Sequence, residues 1–273
     1  MMNATEETID WLTIRRGAAP LLVSLPHTGT TLPDAVAARL LSRSRALKDT
    51  DWWIDRLYDF AAALDATIVH TAISRTVIDV NRDPSGASLY PGQATTGLCP
   101  TTTFDGDPLY HAGQEPDQAE IERRRDAYFA PYHAALASEI ARLRGSHERI
   151  VVYDCHSIRS EVPRLFEGTL PNFNIGTNDG RSAAPELTAL AEAICDASGF
   201  SRVTNGRFKG GWITRSLGDP AGGVHAIQME LACRGYMDEL AGDEPAPYDA
   251  DRAAPMRAVL VELLTALKDW AGR

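Results

Sequence analysis

The chain has 273 residues, of which 44% are hydrophobic and 23% are charged, and its formal net charge is −10. This is the composition of a globular protein, and its acidity argues against a general surface for nucleic acids or anionic membranes. No apolar run approaches the roughly 20 residues that a membrane helix requires.

The first residues and the cysteines indicate a cytoplasmic protein. Residues 1–20 lack a basic start followed by an apolar stretch, so we expect no signal peptide. The four cysteines are widely spaced and form no CxxC motif, which predicts reduced thiols. Cys155 alternates with Asp154 and His156, and this alternation predicts that its thiol packs inside the sheet instead of acting as a nucleophile.

The first half of the chain is predicted to form short strands and helices followed by one long loop. Residues 1–20 are predicted to form an edge element or an arm. Apolar spacing predicts strands at 21–25, 67–70 and 76–80, and helices at 33–41 and 51–64, the second of these capped by Asp49 or Thr50. Residues 83–116 show no periodicity but contain many aromatic and threonine side chains, which predicts an ordered loop that walls a site.

The second half continues the alternation of helices and strands. It is predicted to contain helices at 117–144, 185–197 and 250–271, a helical turn at 212–217, and strands at 149–154, 173–177, 202–204 and 225–231. No repeat or linker interrupts the pattern. We therefore expect a single α/β domain over residues 1–273, with a central mixed or mostly parallel sheet flanked by helices.

Two of the predicted strands each deliver a histidine at their C-terminal end. His27 follows strand 21–25, and His156 follows the buried run that begins at Ile150. Ligands of open α/β sheets bind beyond the carboxyl ends of the strands, so the two imidazoles are expected to meet at one edge. Such a pair with one carboxylate is the donor set of a catalytic zinc site.

Three aspartates are candidates for the third ligand. Asp51 is preferred, because it lies at the start of a helix that is able to return over the same edge, and Asp55 and Asp154 are its rivals. Asp154 is alternatively a residue that orients a ligand from behind. The structural alternative for Asp51 is a helix cap.

Glu230 is the candidate general base. It lies in Gln228-Met229-Glu230-Leu231, an apolar strand in which an unpaired carboxylate is costly. A water to be activated would justify that position, and a salt bridge with an arginine is the alternative explanation.

Cations are concentrated in loops and at strand ends, although the chain as a whole is acidic. They are Arg75, Arg82, Arg159, Arg164, Arg207, Lys209 and Arg215. Arginine matches carboxylates with two parallel hydrogen bonds, and Gly210-Gly211 permits close approach of the backbone. Together they favour a substrate with two carboxylates.

Taken together, these stretches resemble the N-formylglutamate amidohydrolase (N-formylglutamate deformylase) family of histidine degradation. The resemblance runs in order from about residue 12 to 270. It is carried by Ser24-Leu25-Pro26-His27-Thr28-Gly29, Asp49-Thr50-Asp51-Trp52, Ser74 to Arg82, Ala87 to Gln93, Thr96 to Thr102, Asp154-Cys155-His156-Ser157-Ile158-Arg159-Ser160, Asn205 to Gly211 and Gln228 to Leu231. It implies a fold related to zinc carboxypeptidases and aspartoacylases, and a metal-dependent hydrolase that releases formate and L-glutamate. The carboxypeptidase pattern has a glutamate three residues after its first histidine, where this chain has Thr30, so that ligand must come from elsewhere.

The resulting hypothesis assigns a role to each group. Zinc, or another divalent metal, is held by His27, Asp51 and His156, and Glu230 is the general base. The two substrate carboxylates are held by Arg75, Arg82, Lys209 and Arg215, with Asn81 and the loop 84–116 closing the site. The expected partner is a small acidic N-acyl amino acid, with no nucleic acid and no membrane; the sequence carries no signal for an oligomeric state. The alternatives are a deacylase for another N-acyl acidic amino acid and a non-catalytic dicarboxylate-binding protein.

Overall fold

One mixed sheet runs through the part of the chain that the computed structural model describes, residues 6–239 and 242–273. Its strands there are β1 (Glu6–Ile9), β2 (Leu12–Arg15), β3 (Leu21–Leu25), β4 (Thr67–Thr71), β5 (Ile150–Ile158), β6 (Phe173–Gly176), β7 (Arg202–Thr204) and β8 (Val224–Ala232). They stand in the order β1-β2-β4-β3-β5-β8-β6-β7. The pairs β3–β4, β3–β5, β5–β8 and β6–β7 are parallel and the others are antiparallel. This confirms the predicted α/β class with a mixed sheet.

Helices cover both faces of this sheet. They are α1 (Asp34–Ala37), α2 (Arg43–Leu47), α3 (Ile54–Leu57), α4 (Gln118–Arg124), α5 (Ala130–Arg144), α6 (Pro185–Ala197), α7 (Trp212–Leu217) and α8 (Ala250–Ala271). On one face, side chains such as Tyr153 and Met229 pack with α6 and α8. On the other face, Val152 and Ala226 pack with α5. The apolar area removed from water on these two faces is the main source of stability for such a sheet.

Along one face of the central strands β5 and β8, the side chains change from apolar to polar. They pair in parallel over nine residues, and every residue of both strands is buried. Val152 and Ala226 face apolar packing, but the next two positions along the same face are polar in both strands, Asp154 and His156 in β5 and Gln228 and Glu230 in β8. Because side chains alternate between faces, this pairing places a buried polar patch opposite a mainly apolar face.

Many predicted elements are confirmed. Strands 21–25 and 202–204 and helices 185–197, 212–217 and 250–271 have the predicted bounds. Strands 67–70 and 173–177 differ by one residue at one end, strand 225–231 is longer by one residue at each end, and strand 149–154 begins at Ile150 and extends to Ile158. The predicted edge element is confirmed as β1 and β2 for residues 6–15, and residues 1–5 of that prediction lie outside the described residues. Helix 117–144 consists of α4, one π turn (Arg125–Phe129) and α5. The long segment after Asp83 contains neither helix nor strand up to α4, as expected.

The two predicted early helices are mostly wrong. Helix 33–41 shrinks to α1, and helix 51–64 is replaced by α3 and a 3-10 turn, Asp59–Ala62. Trp53 has a φ of 64°, which no helix accommodates. The helix α2 was not predicted at all. In the two predicted helices most of the apolar side chains, such as Val36, Ile54 and Leu57, are buried as their spacing suggested, although Leu41 is exposed; tertiary contacts set the backbone path.

The predicted strand at 76–80 is wrong as well. This segment is a series of turns in which Val77 N donates to Ser74 O and Asp79 N donates to Leu98 O. The carbonyl of Val77 accepts a hydrogen bond from Arg124 Nη1 at 3.0 Å. The β-branched side chains are buried in the core, and turn and side-chain bonds replace the strand ladder for the backbone.

Two further expectations can be compared with the described residues. No helix within 6–239 and 242–273 combines the length and the apolarity that crossing a bilayer requires. All four cysteines are free and buried. Cys155 belongs to the apolar cluster under α8, so the prediction that it packs in the sheet is confirmed.

Gly176, at the end of β6, supports the turn 206–211 directly. A methyl group at this position would lie 2.5 Å from Gly210 N and 2.7 Å from the carbonyl carbon of Lys209. We therefore expect Gly176→Ala to lower the free energy of unfolding by about 1–3 kcal/mol, because the turn must lift off the sheet. Chemical denaturation of both proteins measures this difference. Gly97→Ala is the matched control, since nothing lies within 4 Å of its added methyl group; equal effects of the two substitutions would contradict the expectation.

Candidate active site and metal centre

Three buried donors from distant parts of the chain meet beyond the end of β3 and beside the C-terminal part of β5. They are His27, Asp51 and His156. The Nδ1 atoms of the two histidines are 3.1 Å apart, and Asp51 Oδ2 is 3.2 Å from His156 Nδ1 and 3.6 Å from His27 Nδ1. A tetrahedral zinc with ligand distances of about 2.0–2.1 Å requires its donors to be roughly 3.3 Å apart. The donor types and their spacing therefore fit a divalent metal ion.

A carboxylate holds the far side of each imidazole. His27 Nε2 is 2.8 Å from Asp79 Oδ1, and His156 Nε2 is 2.8 Å from Asp154 Oδ2. A carboxylate acceptor at Nε2 favours the tautomer with the proton on that nitrogen, which leaves the Nδ1 lone pair free. Both Nδ1 atoms face the same centre, so the two aspartates orient the imidazoles as a shared metal ion would require.

The structure distinguishes between the three aspartate candidates. Asp51 reaches the centre because its backbone N donates to His27 O, and its Oδ2 accepts from Ser157 N at 3.1 Å. Its side chain caps no helix, since α3 begins only at Ile54. Asp55 is exposed, and Asp154 lies behind His156, in the supporting role that was its alternative.

The turns at 74–82 tie these groups together. Arg75 donates from Nη1 to Asp51 Oδ1 at 3.3 Å and from Nη2 to Asp79 Oδ2 at 2.8 Å. Burial alone would raise the pKa of Asp79, but the charges of Arg82, His27 and Arg75 outweigh it and hold the pKa well below its ordinary value. Arg75 is thus neutralised by two carboxylates of the centre.

Asn81 connects this turn to the sheet. Its Nδ2 donates to Asp154 Oδ2 at 3.1 Å and to Gln228 Oε1 at 3.3 Å, and its Oδ1 accepts from Ile213 N at 2.8 Å. Gly211 lies so close that a methyl group on it would overlap the amide. The side chain of Asn81 is therefore held on all sides, which suits a structural role at the edge of the cleft.

Glu230 lies beside His156 on the neighbouring strand. The two residues are partners in the β5–β8 register, so their side chains leave the same face of the sheet. Gln228 Nε2 donates to Glu230 Oε2 at 3.2 Å. Burial, together with the negative charges of Asp51 and Asp154, raises the pKa of Glu230 to about 7, against the opposing charges of His156 and Arg75. No salt bridge joins Glu230 to an arginine among the described residues, which leaves the carboxylate available as a base.

The centre is rich in negative charge. Burial by itself would lower the pKa of His156, but Asp154 and Asp51 outweigh it and raise the pKa well above its ordinary value. A field that retains a proton on a buried imidazole also attracts a metal cation. The electrostatics and the donor geometry thus point in the same direction.

A cleft of about 550 Å³ opens over this centre. Its walls include His27, His156, Glu230, Arg75, Asn81, Arg82, Tyr90, Thr96, Phe104, Arg207, Phe208 and Gln228. The loop that begins at Asp83 contributes Tyr90 and Thr96, as its composition suggested.

Two of the predicted carboxylate-binding residues do not line this cleft. Lys209 Nζ forms an ion pair with Asp179 at 3.1 Å. Arg215 Nε donates to Gly210 O at 2.8 Å, and its guanidinium stacks 5.0 Å from the ring of Tyr90. Both side chains contact the turn 206–211 or its partners on the side away from the cleft. The glycines and the positive charges correctly singled out this turn, but the order of the residues alone does not say which cation faces the cleft.

Arg207 is the cation of that turn that lines the cleft, and the sequence-based assignment passed over it. Its guanidinium lies 5.3 Å from the ring of Tyr90 and 5.3 Å from that of Phe208. Alternation along the turn does not separate Arg207 from Lys209, because residues two positions apart point to the same side, so the sequence held no signal for this choice.

Comparison with known proteins shows which family this chain is similar to. The family model of N-formylglutamate amidohydrolase matches residues 19–237. The N-formylglutamate deformylase of Pseudomonas aeruginosa is 51% identical over 260 residues, covering 95% of this chain and 96% of that protein, and the one of Pseudomonas putida is 47% identical with the same coverage. The crystal structure of N-formylglutamate amidohydrolase from Ralstonia eutropha JMP134 has a TM-score of 0.79 at 24% identity, covering 96% of this chain and 98% of that one. This last likeness shows a shared fold.

Asp79 provides a test of the metal centre. Asp79→Asn removes the carboxylate that holds His27 Nε2, so we expect the affinity for Zn²⁺ to fall by about 10–100-fold. Competition with a chromophoric chelator measures that affinity. Asp55→Asn is the matched control, because Asp55 is exposed and outside the centre. Unchanged affinity in Asp79→Asn would argue against a metal bound by His27.

Glu230 should make the metal-free protein sensitive to pH. The pKa of this carboxyl is 4.5 in the unfolded chain and about 7 in the native protein. At low pH the carboxyl is protonated in both states, so its burial costs no stability. The loss of stability grows as the pH rises through the native pKa. Glu230→Gln is therefore expected to raise the free energy of unfolding by on the order of 1–3 kcal/mol at pH 8, and by almost nothing at about pH 4.

Urea titrations of the metal-free protein at the two pH values test this expectation. Glu262→Gln, an exposed position on α8, is the control. A gain that is the same at both pH values would show that the carboxyl of Glu230 is not held in its neutral form by burial.

Proposed function

The chain belongs to the N-formylglutamate amidohydrolase family, and from this premise we propose that it hydrolyses N-formyl-L-glutamate to formate and L-glutamate with a divalent metal held by His27, Asp51 and His156. The observation that carries the proposal is the triangle of His27 Nδ1, His156 Nδ1 and Asp51 Oδ2, with sides of 3.1, 3.2 and 3.6 Å. Glu230, which leaves the same face of the sheet as His156, lines the cleft above it.

Zinc is the metal that this donor set favours. Two imidazoles and one carboxylate are typical protein ligands of a catalytic zinc, which keeps a further position for water or substrate. Two histidine nitrogens disfavour Mg²⁺ and Ca²⁺, which prefer oxygen ligands. When bound, such an ion polarises the formyl carbonyl and lowers the pKa of a water molecule towards about 7.

Glu230 acts as the general base and then as the general acid. Its pKa of about 7 lets it accept a proton from the attacking water near neutral pH. Once water has added to the formyl carbon, the leaving amine must gain a proton, because an amide anion is a poor leaving group. Glu230 carries that proton and returns it to the nitrogen. Gln228 orients the carboxylate through its hydrogen bond to Oε2.

The cationic wall of the cleft binds the acidic substrate. Arg82 donates to Thr96 O and Thr96 Oγ1, and its Nε lies 3.6 Å from Asp79 Oδ2 near the metal ligands. We assign it to the α-carboxylate. Arg75 lines the cleft but is bound to Asp51 and Asp79, so its charge mainly supports the metal-binding carboxylates. Asn81 positions Asp154 and Gln228 instead of contacting the substrate.

We also propose a cytoplasmic location. The four cysteines are free and buried in the described structure, and such thiols suit a reducing compartment.

Release of formate from N-formyl-L-glutamate, measured together with elemental analysis of the purified protein, tests the proposed function. His156→Ala should lose both metal and turnover. Glu230→Gln should retain the metal and lose about 10²–10⁴-fold in kcat, because only proton transfer is removed. His111→Ala, an exposed histidine, is the control and should retain both. Full turnover by a metal-free His156→Ala preparation would contradict the mechanism, and a preference for N-acetyl-L-aspartate would indicate a different deacylase.

A further inference from the structure

Arg207 is held in the wall of the cleft by neutral groups. Its Nε donates to Leu165 O at 2.7 Å, and its Nη2 donates to Ala94 O at 2.9 Å. The rings of Tyr90 and Phe208 flank the guanidinium, each at 5.3 Å. Two carbonyls and two aromatic rings fix the plane of the group, but none of them carries a negative charge.

The charge of Arg207 is consequently not neutralised. No carboxylate oxygen lies within 4 Å of its nitrogens in the described part of the chain, whereas Arg75, Arg159 and Arg202 each have such partners. Burial and the nearby positive charge of Arg82 lower the pKa of Arg207. Two like charges that share one cleft repel each other, and an anion between them relieves the repulsion.

Each of the two arginines has one terminal nitrogen left for a ligand. Arg82 uses Nε and Nη2 for Thr96, and Arg207 uses the same two atoms for Leu165 and Ala94. Neither Nη1 is bound to a protein atom in the described structure. Each guanidinium is thus rigidly oriented while it retains donors, which lowers the entropy lost when a carboxylate binds.

The two cations are connected differently to the candidate metal ligands. Arg82 approaches Asp79, which holds His27. Arg207 is anchored instead to Ala94 and Leu165, and no hydrogen bond or ion pair of the described residues joins it to the groups that hold the two histidines. In an N-formyl amino acid the α-carboxylate is next to the scissile amide, whereas the carboxylate of a glutamate side chain lies farther out by two methylene groups.

We propose that Arg207 binds the side-chain carboxylate of the substrate and so makes the enzyme specific for N-formyl amino acids with an acidic side chain. The proposal rests on the proposed function and adds to it the residue that recognises the side chain of the substrate. The rings of Tyr90 and Phe208 lie beside the guanidinium and reduce its contact with water, which strengthens an ion pair at its edge. A neutral side chain leaves that half-buried charge unpaired, so it is rejected.

Three substrates separate the two carboxylates. They are N-formyl-L-glutamate, N-formyl-L-glutamine, which replaces the side-chain carboxylate with an amide of the same size, and the α-amide of N-formyl-L-glutamate. Formate release from each gives kcat/KM for the wild-type enzyme, Arg207→Met, Arg82→Met and Lys209→Met. The last variant removes one positive charge from the same turn but outside the cleft, and is the matched control.

Arg207→Met should lower kcat/KM for N-formyl-L-glutamate by about 100-fold and change that for N-formyl-L-glutamine by less than about threefold. Arg82→Met should weaken both of these substrates and spare the α-amide. Lys209→Met should leave all three within about threefold. Equal losses of Arg207→Met on glutamate and glutamine substrates, or no loss on either, would overturn the assignment.

Chemical rescue distinguishes the loss of the guanidinium group from a general disturbance of the loops. Added guanidinium should restore turnover of N-formyl-L-glutamate by Arg207→Ala at least tenfold, without helping N-formyl-L-glutamine; rescue of both substrates or of neither would count against the proposal. The wild-type data separate the two levels of inference. If no substrate releases formate, the proposed function fails, whereas turnover of N-formyl-L-glutamate with no preference over N-formyl-L-glutamine refutes the role of Arg207 alone.

Discussion

The close approach of two imidazoles and one carboxylate is the constraint on which the rest of the structure depends. His27, Asp51 and His156 are brought within 3.6 Å of one another in a buried environment. Hydrogen bonds from the ring Nε2 atoms to Asp79 and Asp154 keep both Nδ1 lone pairs inward. A buried cluster with so many carboxylates is costly unless positive charge offsets it. Arg75 supplies part of that charge inside the protein, and a metal ion is suited to supply the rest.

The sheet makes this arrangement possible because its two faces carry different kinds of side chain. Along β5 and β8, one face is mainly apolar, through Tyr153, Cys155, Ile227, Met229 and Leu231, and packs against α6 and α8, which anchors the strands. On the other face, Asp154, His156, Gln228 and Glu230 follow the apolar residues. Buried polar groups are tolerated only when they are hydrogen-bonded, and Asn81 provides much of that bonding from the turn across the cleft. The apolar face thus stabilises the strands that carry the polar site.

The charge of the cleft contrasts with that of the whole molecule. The chain carries a net −10, which on its own repels an acidic substrate. Arg82 and Arg207 reverse the sign locally: Arg82 is hydrogen-bonded to Thr96 and shares Asp79 with Arg75 and His27, and Arg207 is held by backbone carbonyls and aromatic rings. Arginines elsewhere, such as Arg202 with Glu192, are neutralised by ion pairs. What distinguishes Arg207 from these arginines is therefore the kind of partner that holds it.

The sequence by itself determined the fold class, the main buried strands and the later helices, and it singled out the two histidines and the aspartate that meet at the candidate metal centre, because these depend on local periodicity and on residue type. Only the tertiary structure decided that 76–80 forms turns and that 51–64 breaks, since there the side chains of Asp51, Asp79 and Asn81 bind distant partners that override local preference. The same reason explains why Arg207 faces the cleft while Lys209 and Arg215 do not. The direction of a side chain in a turn depends on what packs against it, and those neighbours come from remote segments of the chain.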